Sequence, residues 1–152
     1  MRWDEIMMGD QSGKVAVVTG SNTGIGYYMA RALASKGASV IMACRDPTKG
    51  EVARDRILEE FPGSEVSVSV LDLADLSSIE EFADGFPSEG GLDILINNAG
   101  VMIPPKSRTK DGFELQFGTN HLGHFALTGR LLPVLERTDG SRVVTVSSIA
   151  HN

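Results

Sequence analysis

The chain has 152 residues, 41 % of them hydrophobic, and its 14 lysines and arginines against 20 aspartates and glutamates leave a net charge of −6. That length supports one domain with a buried core, and the apolar content is too high for a disordered chain. The acidic balance argues against a protein that grips phosphate backbones with clustered Lys and Arg, so no nucleic-acid partner is expected. A single cysteine, Cys44, excludes an internal disulfide framework and a cysteine-rich metal site, and fits a reducing compartment.

Residues 1–12 read as a short, loosely ordered leader, with no apolar run long enough for a signal peptide or membrane anchor. No window approaches the roughly 20 apolar residues of a spanning helix, so no membrane span is expected and the cytoplasm is the expected location. Lys14 to Thr19 (KVAVVT) is a β-branched run flanked by glycine, the pattern of a fully buried parallel strand. The turn GSNTGIG follows, then a helical spacing of Ile25, Met29 and Leu33 that stops at Gly37. Ala38 to Cys44 is a second buried strand. Asp46 then supplies an N-cap and Pro47 the first position of a helix through Val52, Ile57 and Phe61.

Glu65 to Leu71 alternates Val66, Val68 and Val70 as a third strand, and Ser77 with Glu80 reads as a capping box for a helix carrying Ile79 and Phe82. Leu92 to Ile96 is a fourth strand. From Asp111 to about Arg137 the spacing is helical, with Phe113, Phe117, Leu122, Phe125, Leu132 and Leu135 as inward candidates and Pro133 placed to kink or shorten the helix. Arg142 to Val146 is a fifth buried strand. Five strands alternating with helices over short links predict a doubly wound, Rossmann-like α/β domain with a parallel sheet over residues 13–152.

Gly20, Gly24 and Gly26 sit between a buried strand and a helix, where a tight turn needs positive φ and a missing side chain lets backbone N–H groups approach a pyrophosphate. Taken alone this is a weak signal, with a strand-to-helix turn that binds nothing as the alternative. It does not stand alone. Thr19 to Gly26 after the first strand, Asp72-Leu73 after the third, Asn97 to Gly100 after the fourth, Asn120 in the long helix and Val146 to Ser148 after the fifth form an ordered set. With them the sequence resembles the short-chain dehydrogenase/reductase superfamily. The ACRD run at Ala43 to Asp46, TNHLGHF at Thr119 to Phe125 and VSSIAH at Val146 to His151 resemble its retinol-dehydrogenase-like branch most. The resemblance runs from about Gly13 to Asn152.

The resemblance implies that the backbone of Gly20, Ser21, Asn22, Thr23, Gly24, Ile25 and Gly26 holds a dinucleotide pyrophosphate. It implies that Asp72, with Leu73, meets the adenine and that Asn98, Ala99 and Gly100 line a ribose, while Asn97 ties the fourth strand to its neighbour. An Asx turn or cap is the structural alternative for the asparagines and Asp72. Cys44 stands where the family carries an acidic residue, and Arg45 beside it can pair with two phosphate oxygens, so the expected cofactor is NADP, with NAD the less favoured. An ordinary surface charge is the other reading of Arg45. Asp46 is assigned to the helix cap.

Carbonyl reduction by hydride transfer builds negative charge on the substrate oxygen, which calls for a proton donor and a hydrogen-bonding partner there. By resemblance Ser148 polarises the carbonyl and Asn120 holds a water of the proton relay. The alternative for Ser148 is a cap or turn after the fifth strand. The family's YxxxK pair lies downstream of the serine, whereas the two tyrosines here, Tyr27 and Tyr28, follow the glycine turn and start no YxxxK, and four residues follow Ser148. His121 and His124 are three apart on one predicted helix but lack a third ligand, so no metal is expected, and His151 receives no role.

The function expected is therefore an NADP-dependent oxidoreductase acting on an apolar alcohol or carbonyl. In that reading the 152 residues carry the cofactor site and part of the catalytic site, form a domain incomplete on its C-terminal side, and are inactive or nearly so alone. A non-catalytic NADP-binding module or a truncated gene product is the alternative. The RVVTV edge, flat, apolar and without lysine or proline, is expected to aggregate or to acquire a partner, a homo-oligomer being one outcome.

Overall fold

The computed structural model describes residues 4–87 and 90–148. Five parallel strands, β1 (Val15–Thr19), β2 (Ser39–Cys44), β3 (Val66–Val70), β4 (Ile94–Asn97) and β5 (Arg142–Thr145), form one sheet in the order β3-β2-β1-β4-β5. The expected doubly wound α/β fold is the one observed. Helices α1 (Gly24–Ser35), α2 (Pro47–Glu60), α3 (Leu76–Asp84), α4 (Leu115–Phe117) and α5 (Gly123–Arg137) connect the strands.

The period of two along each strand sorts the side chains into two cores. Ala16, Val18, Val40, Met42 and Ile96 face Ala30 and Leu33 of α1 and Ile57 of α2. Val17, Ala43 and Leu95 face Ile79 and Phe82 of α3 and Leu127, Leu131 and Val134 of α5. Burial on both faces is why β1 reads as a continuous apolar run. Successive connections leave β1 in opposite directions, so a crevice opens outside the carboxyl ends of β1 and β4, the topological switch point of such sheets.

Asp46 caps α2 as expected, accepting from the Lys49 amide at 3.1 Å, with Pro47 in the first turn. At α3 the expected Ser77–Glu80 capping box is replaced. Asp75 is the N-cap, its Oδ1 accepting from both the amide (2.9 Å) and the hydroxyl (2.6 Å) of Ser77, while Glu80 pairs with Arg130 on α5. Lys110 bonds the other Asp75 oxygen at 2.6 Å, and these donors hold the Asp75 carboxyl down at about 2. The better cap wins because an aspartate two residues upstream reaches the same amide without using the helix's own residues.

The long helix expected from Asp111 is also different. Gly112 adopts φ +88 in a turn, α4 is a single turn capped by Glu114, and Gly118–Leu122 is a π-helical turn before α5 begins. Pro133 is accommodated inside α5, which runs on to Arg137. The extra residue of the π turn rotates the helix face. Phe113, Phe117, Phe125 and Leu132 are exposed, and of the inward candidates Leu135 is buried. The exposed flank of β5 departs from the expected buried strand as well: all four residues are exposed, and Val143 and Val144 each show 44 % of their surface.

The first residues are better anchored than a loose leader. Asp4 caps a 3-10 turn at Glu5–Met7, Glu5 pairs with Arg31, Met8 packs on the α1-side core, and the Gln11 amide donates to the Lys36 carbonyl at 2.8 Å. No helix among the described residues is long and apolar enough to cross a membrane.

Candidate nucleotide-binding site

A cleft of about 440 Å³ occupies the switch point. One wall is the glycine turn: Gly20, Asn22, Thr23, Ile25 and Gly26 line it. Gly20 takes φ +64, and a Cβ built on it would lie 2.8 Å from the Ala99 Cβ. A Cβ on Gly26 would collide with the Asn98 side chain and lie 2.7 Å from the Gly20 carbonyl oxygen. Backbone is thus packed against backbone where the turn enters α1, and only glycine fits. Gly24, at φ +59, starts α1 away from the cleft lining.

The other walls come from strand ends. Arg45 follows β2, Leu71, Asp72 and Leu73 follow β3, and Asn98, Ala99 and Gly100 follow β4. Arg45 is exposed, and among the described residues it has no carboxylate partner. Asp46 is turned to the α2 cap and to Lys49 at 3.4 Å. Cys44 is fully buried, 3.8 Å from the Ser21 hydroxyl, and burial pushes its thiol up. The end of β2 therefore presents a cation to the cleft. Asp72 makes an Asx turn, accepting from the Ala74 amide at 2.9 Å.

Several residues expected at the site also hold the fold together through their side chains. Ser21 is buried and donates to the Val18 carbonyl at 2.9 Å. The Asn98 side-chain amide donates to the Thr19 carbonyl at 2.8 Å, clamping the fourth strand's loop to the glycine turn. Asn97 ties β4 to its neighbour β5 through its backbone, its carbonyl accepting from the Val146 amide at 3.0 Å, and its side-chain amide also donates to Thr128 on α5 at 3.1 Å. Asn120 lies in the π turn, where its amide grips the Val101 backbone twice, accepting from N–H and donating to C=O at 2.8 Å each. Ser148 is exposed beyond β5, outside the cleft lining; His151 lies outside the described residues.

Sequence reasoning missed the centre of the site. The Thr19 hydroxyl, fully buried, accepts from the amides of Asn98 (2.9 Å) and Ala99 (3.0 Å) and lies 2.9 Å from His124 Nε2. His124 Nδ1 lies 2.8 Å from the Asn120 carbonyl oxygen, which can only accept, so Nδ1 carries the proton and Nε2 accepts from Thr19. Every hydrogen-bonding position of that hydroxyl is filled. His121, by contrast, stacks on Phe117 at the surface, 5.1 Å between ring centres. The structure thus parts the two histidines, and no cluster of three metal-ligating side chains is found among the described residues. The signal available in sequence was the pairing of a threonine ending β1 with a histidine four residues after Asn120.

Burial lowers the His124 pKa from its ordinary value near 6.5. The unfolded chain then binds this proton more readily than the folded one. Stability is fully present above about pH 6.5 and is lost as pH falls through the lower folded-state value. Urea unfolding of wild type is expected to show a midpoint that drops from pH 7.5 to pH 5.5, and His124→Gln to show a distinctly smaller drop. Equal drops in both proteins would exclude His124 as the cause.

The family model for short chain dehydrogenase matches residues 14–152. Retinol dehydrogenase 12 of Homo sapiens is 56 % identical over 141 residues, covering 92 % of this chain and 45 % of that protein. Among solved structures, an uncharacterized protein from Mycobacterium Paratuberculosis superposes with a TM-score of 0.88 at 52 % identity, over 99 % of this chain and 52 % of its own. A metagenomic short-chain oxidoreductase in complex with NADP superposes with a TM-score of 0.79 at 30 % identity, over 91 % of this chain and 63 % of its own. The chain spans about half the length of the curated relatives it matches. The glycine turn, the NNAG loop, the Asn120 turn and β5 all fall within the matched residues, and the chain belongs to the short-chain dehydrogenase family.

Proposed function

We propose that the cleft binds NADP(H) and that these residues serve an oxidoreductase passing hydride between nicotinamide and an apolar alcohol or carbonyl. The observation that carries the cofactor reading is Arg45, exposed on the cleft wall without a carboxylate partner among the described residues, at a strand end where Cys44 is buried and Asp46 is committed to a cap. A guanidinium there pairs with a 2′-phosphate, and no carboxylate there competes for ribose hydroxyls. The residues fit the group: the N-terminus of the twelve-residue α1 opens onto the cleft through a turn whose glycines leave backbone N–H groups approachable. The retinol dehydrogenase name of the 56 % identical relative and the NADP in the metagenomic oxidoreductase support the same reading.

When bound, the nicotinamide supplies or accepts the hydride. In this reading Ser148, exposed at the carboxyl end of β5, donates a hydrogen bond to the substrate oxygen as charge develops there. Asn120 holds the loop after β4 through Val101, and its carbonyl, already bonded to His124, keeps a second lone pair for a relay water. Both tyrosines lie in α1, where Tyr27 is buried under the Arg56 guanidinium at 4.8 Å, so neither serves as the acid beside Ser148.

Titration of the chain with NADPH and NADH, followed by nicotinamide fluorescence, tests the cofactor reading. NADPH is expected to bind about tenfold more tightly or better, the scale of a charge-assisted hydrogen-bond pair. Tighter NADH binding would overturn it.

A further inference from the structure

β3 lies at one side of the sheet: it is bonded to β2 and, among the described residues, to no strand beyond it. The Val40 amide donates to the Glu65 carbonyl at 2.8 Å and the Leu71 amide to the Cys44 carbonyl at 3.0 Å, with Val40 opposite Val66 and Cys44 opposite Val70. In a parallel ladder alternate residues of a strand bond to the same neighbour. Glu65, Ser67, Ser69 and Leu71 therefore turn their backbone groups to β2, and the N–H and C=O of Val66, Val68 and Val70 point off the sheet. Open edges are ordinarily blunted by lysine, proline or a bulge. The VSVSV of β3 contains neither residue, and its register on β2 is unbroken from Val66 to Val70.

The two faces beside this edge differ. Val66 and Val68 pack toward the core under α1 and α2, where a Cβ on Gly50 would strike a Val68 methyl. Ser67 and Ser69 turn to the opposite face. There a groove of about 380 Å³ runs between β3 and α3, walled by Ser78, Glu81 and Phe86, and it shares no lining residue with the nucleotide cleft. A second cleft, of about 310 Å³, continues it past Ser67 to Glu65, whose carboxylate accepts from the Ser39 hydroxyl. Among the described residues neither cleft is lined by Lys or Arg, and Lys110, whose charge reaches Glu81, is held by Asp75 at 2.6 Å. The serine face is thus open and acidic, and the valine face apolar. We propose that β3 is a docking edge for an extended segment of a partner protein that carries Lys or Arg at alternate positions and apolar residues between them. Its backbone pairs with Val66, Val68 and Val70, its basic side chains lie over Ser67 and Ser69 toward Glu81 and Glu65, and its apolar side chains continue the valine face.

The test adds the peptide acetyl-KVKVKV-amide, or the charge-reversed acetyl-EVEVEV-amide, to the full chain. Calorimetry measures the affinity, and amide hydrogen exchange of the labelled chain shows where the peptide sits. At saturating KVKVKV, exchange at Val66, Val68 and Val70 is expected to slow about tenfold or more, while Ser67 and Ser69, already bonded to β2, are unchanged. EVEVEV is expected to bind about tenfold more weakly or worse. Glu81→Lys is expected to weaken KVKVKV about five- to tenfold and to strengthen EVEVEV. Glu136→Lys makes the same change of net charge at an exposed position on α5 and is expected to leave both affinities as in wild type. Absence of KVKVKV binding, equal affinity for the two peptides, or equal effects of the two substitutions would overturn the inference. So would protection that falls on Val143 and Val144 of β5 instead. Protection of Val66, Val68 and Val70 by raising the protein concentration alone would also overturn it, because the occupant of the edge would then be a second copy of this chain.

Discussion

Arg45→Asp is expected to weaken NADPH binding about 100-fold or more while leaving NADH binding equal or tighter, so that the order of preference reverses. Two changes act together. The guanidinium that can hold a 2′-phosphate through two oxygens is lost, and a carboxylate is placed where it repels that phosphate and can accept from ribose hydroxyls. A neutral Arg45→Ala removes only the first and is expected to cost about tenfold for NADPH. The reversal depends on the local arrangement of β2. Asp46 is a native carboxylate one residue away, but its oxygens are taken by the Lys49 amide and ammonium, which hold its carboxyl below the usual range. Paired titrations of the three proteins check this. If Arg45→Asp changes both affinities by the same factor, the arginine acts through folding and not through the phosphate.

Gly26→Val is expected to abolish nucleotide binding, a loss of about 100-fold or more, because the branched side chain must displace the Asn98 amide and the Gly20 carbonyl. Those two groups are the seam between the glycine turn and the NNAG loop, where Asn98 also bonds the Thr19 carbonyl at 2.8 Å. Opening it moves both walls of the cleft. Gly24→Ala is the informative companion. A Cβ on Gly24 meets nothing within 4 Å, so its penalty is the left-handed backbone at φ +59, about 1–2 kcal/mol of stability. Thermal melts and NADPH titrations of both variants are expected to separate: Gly24→Ala melts lower but binds, whereas Gly26→Val does not bind even where it remains folded. Wild-type affinity in folded Gly26→Val would contradict the packing argument.

What could be read from sequence, and what could not, follows from where the information lies. The buried strands β1 and β2, the Asp46-Pro47 start of α2 and the glycine turn are local signals, and each forms within a residue or two of its expected bounds. The stretch from Asp111 onward failed because the helix starts only at Leu115, past Phe113, and a π turn then adds a residue without altering composition. The apolar period through Phe113, Phe117 and Phe125 then runs along the solvent face, and Leu127, Leu131 and Val134 take the core. β5 reads as a buried strand, yet an apolar run says nothing about which strands will flank it, and in the sheet it is bonded on one side, to β4. For the candidate site, eleven of the thirteen residues expected at the cofactor line one cleft. The hub of Thr19 and His124 was not legible, since the two are 105 residues apart and are joined only when β1, β4 and α5 come together.

The most direct test of the central claim, that this cleft is a dinucleotide site, is amide chemical-shift mapping of the labelled chain as NADPH is added. The account predicts that the largest changes fall on Ser21 to Ile25, on Arg45, on Asp72 and Leu73, and on Asn98 to Val101, the segments that surround the cleft or form its turn. Changes confined to another surface, such as the groove between β3 and α3 lined by Ser67, Ser69, Glu81 and Phe86, or no change at saturating NADPH, would contradict it.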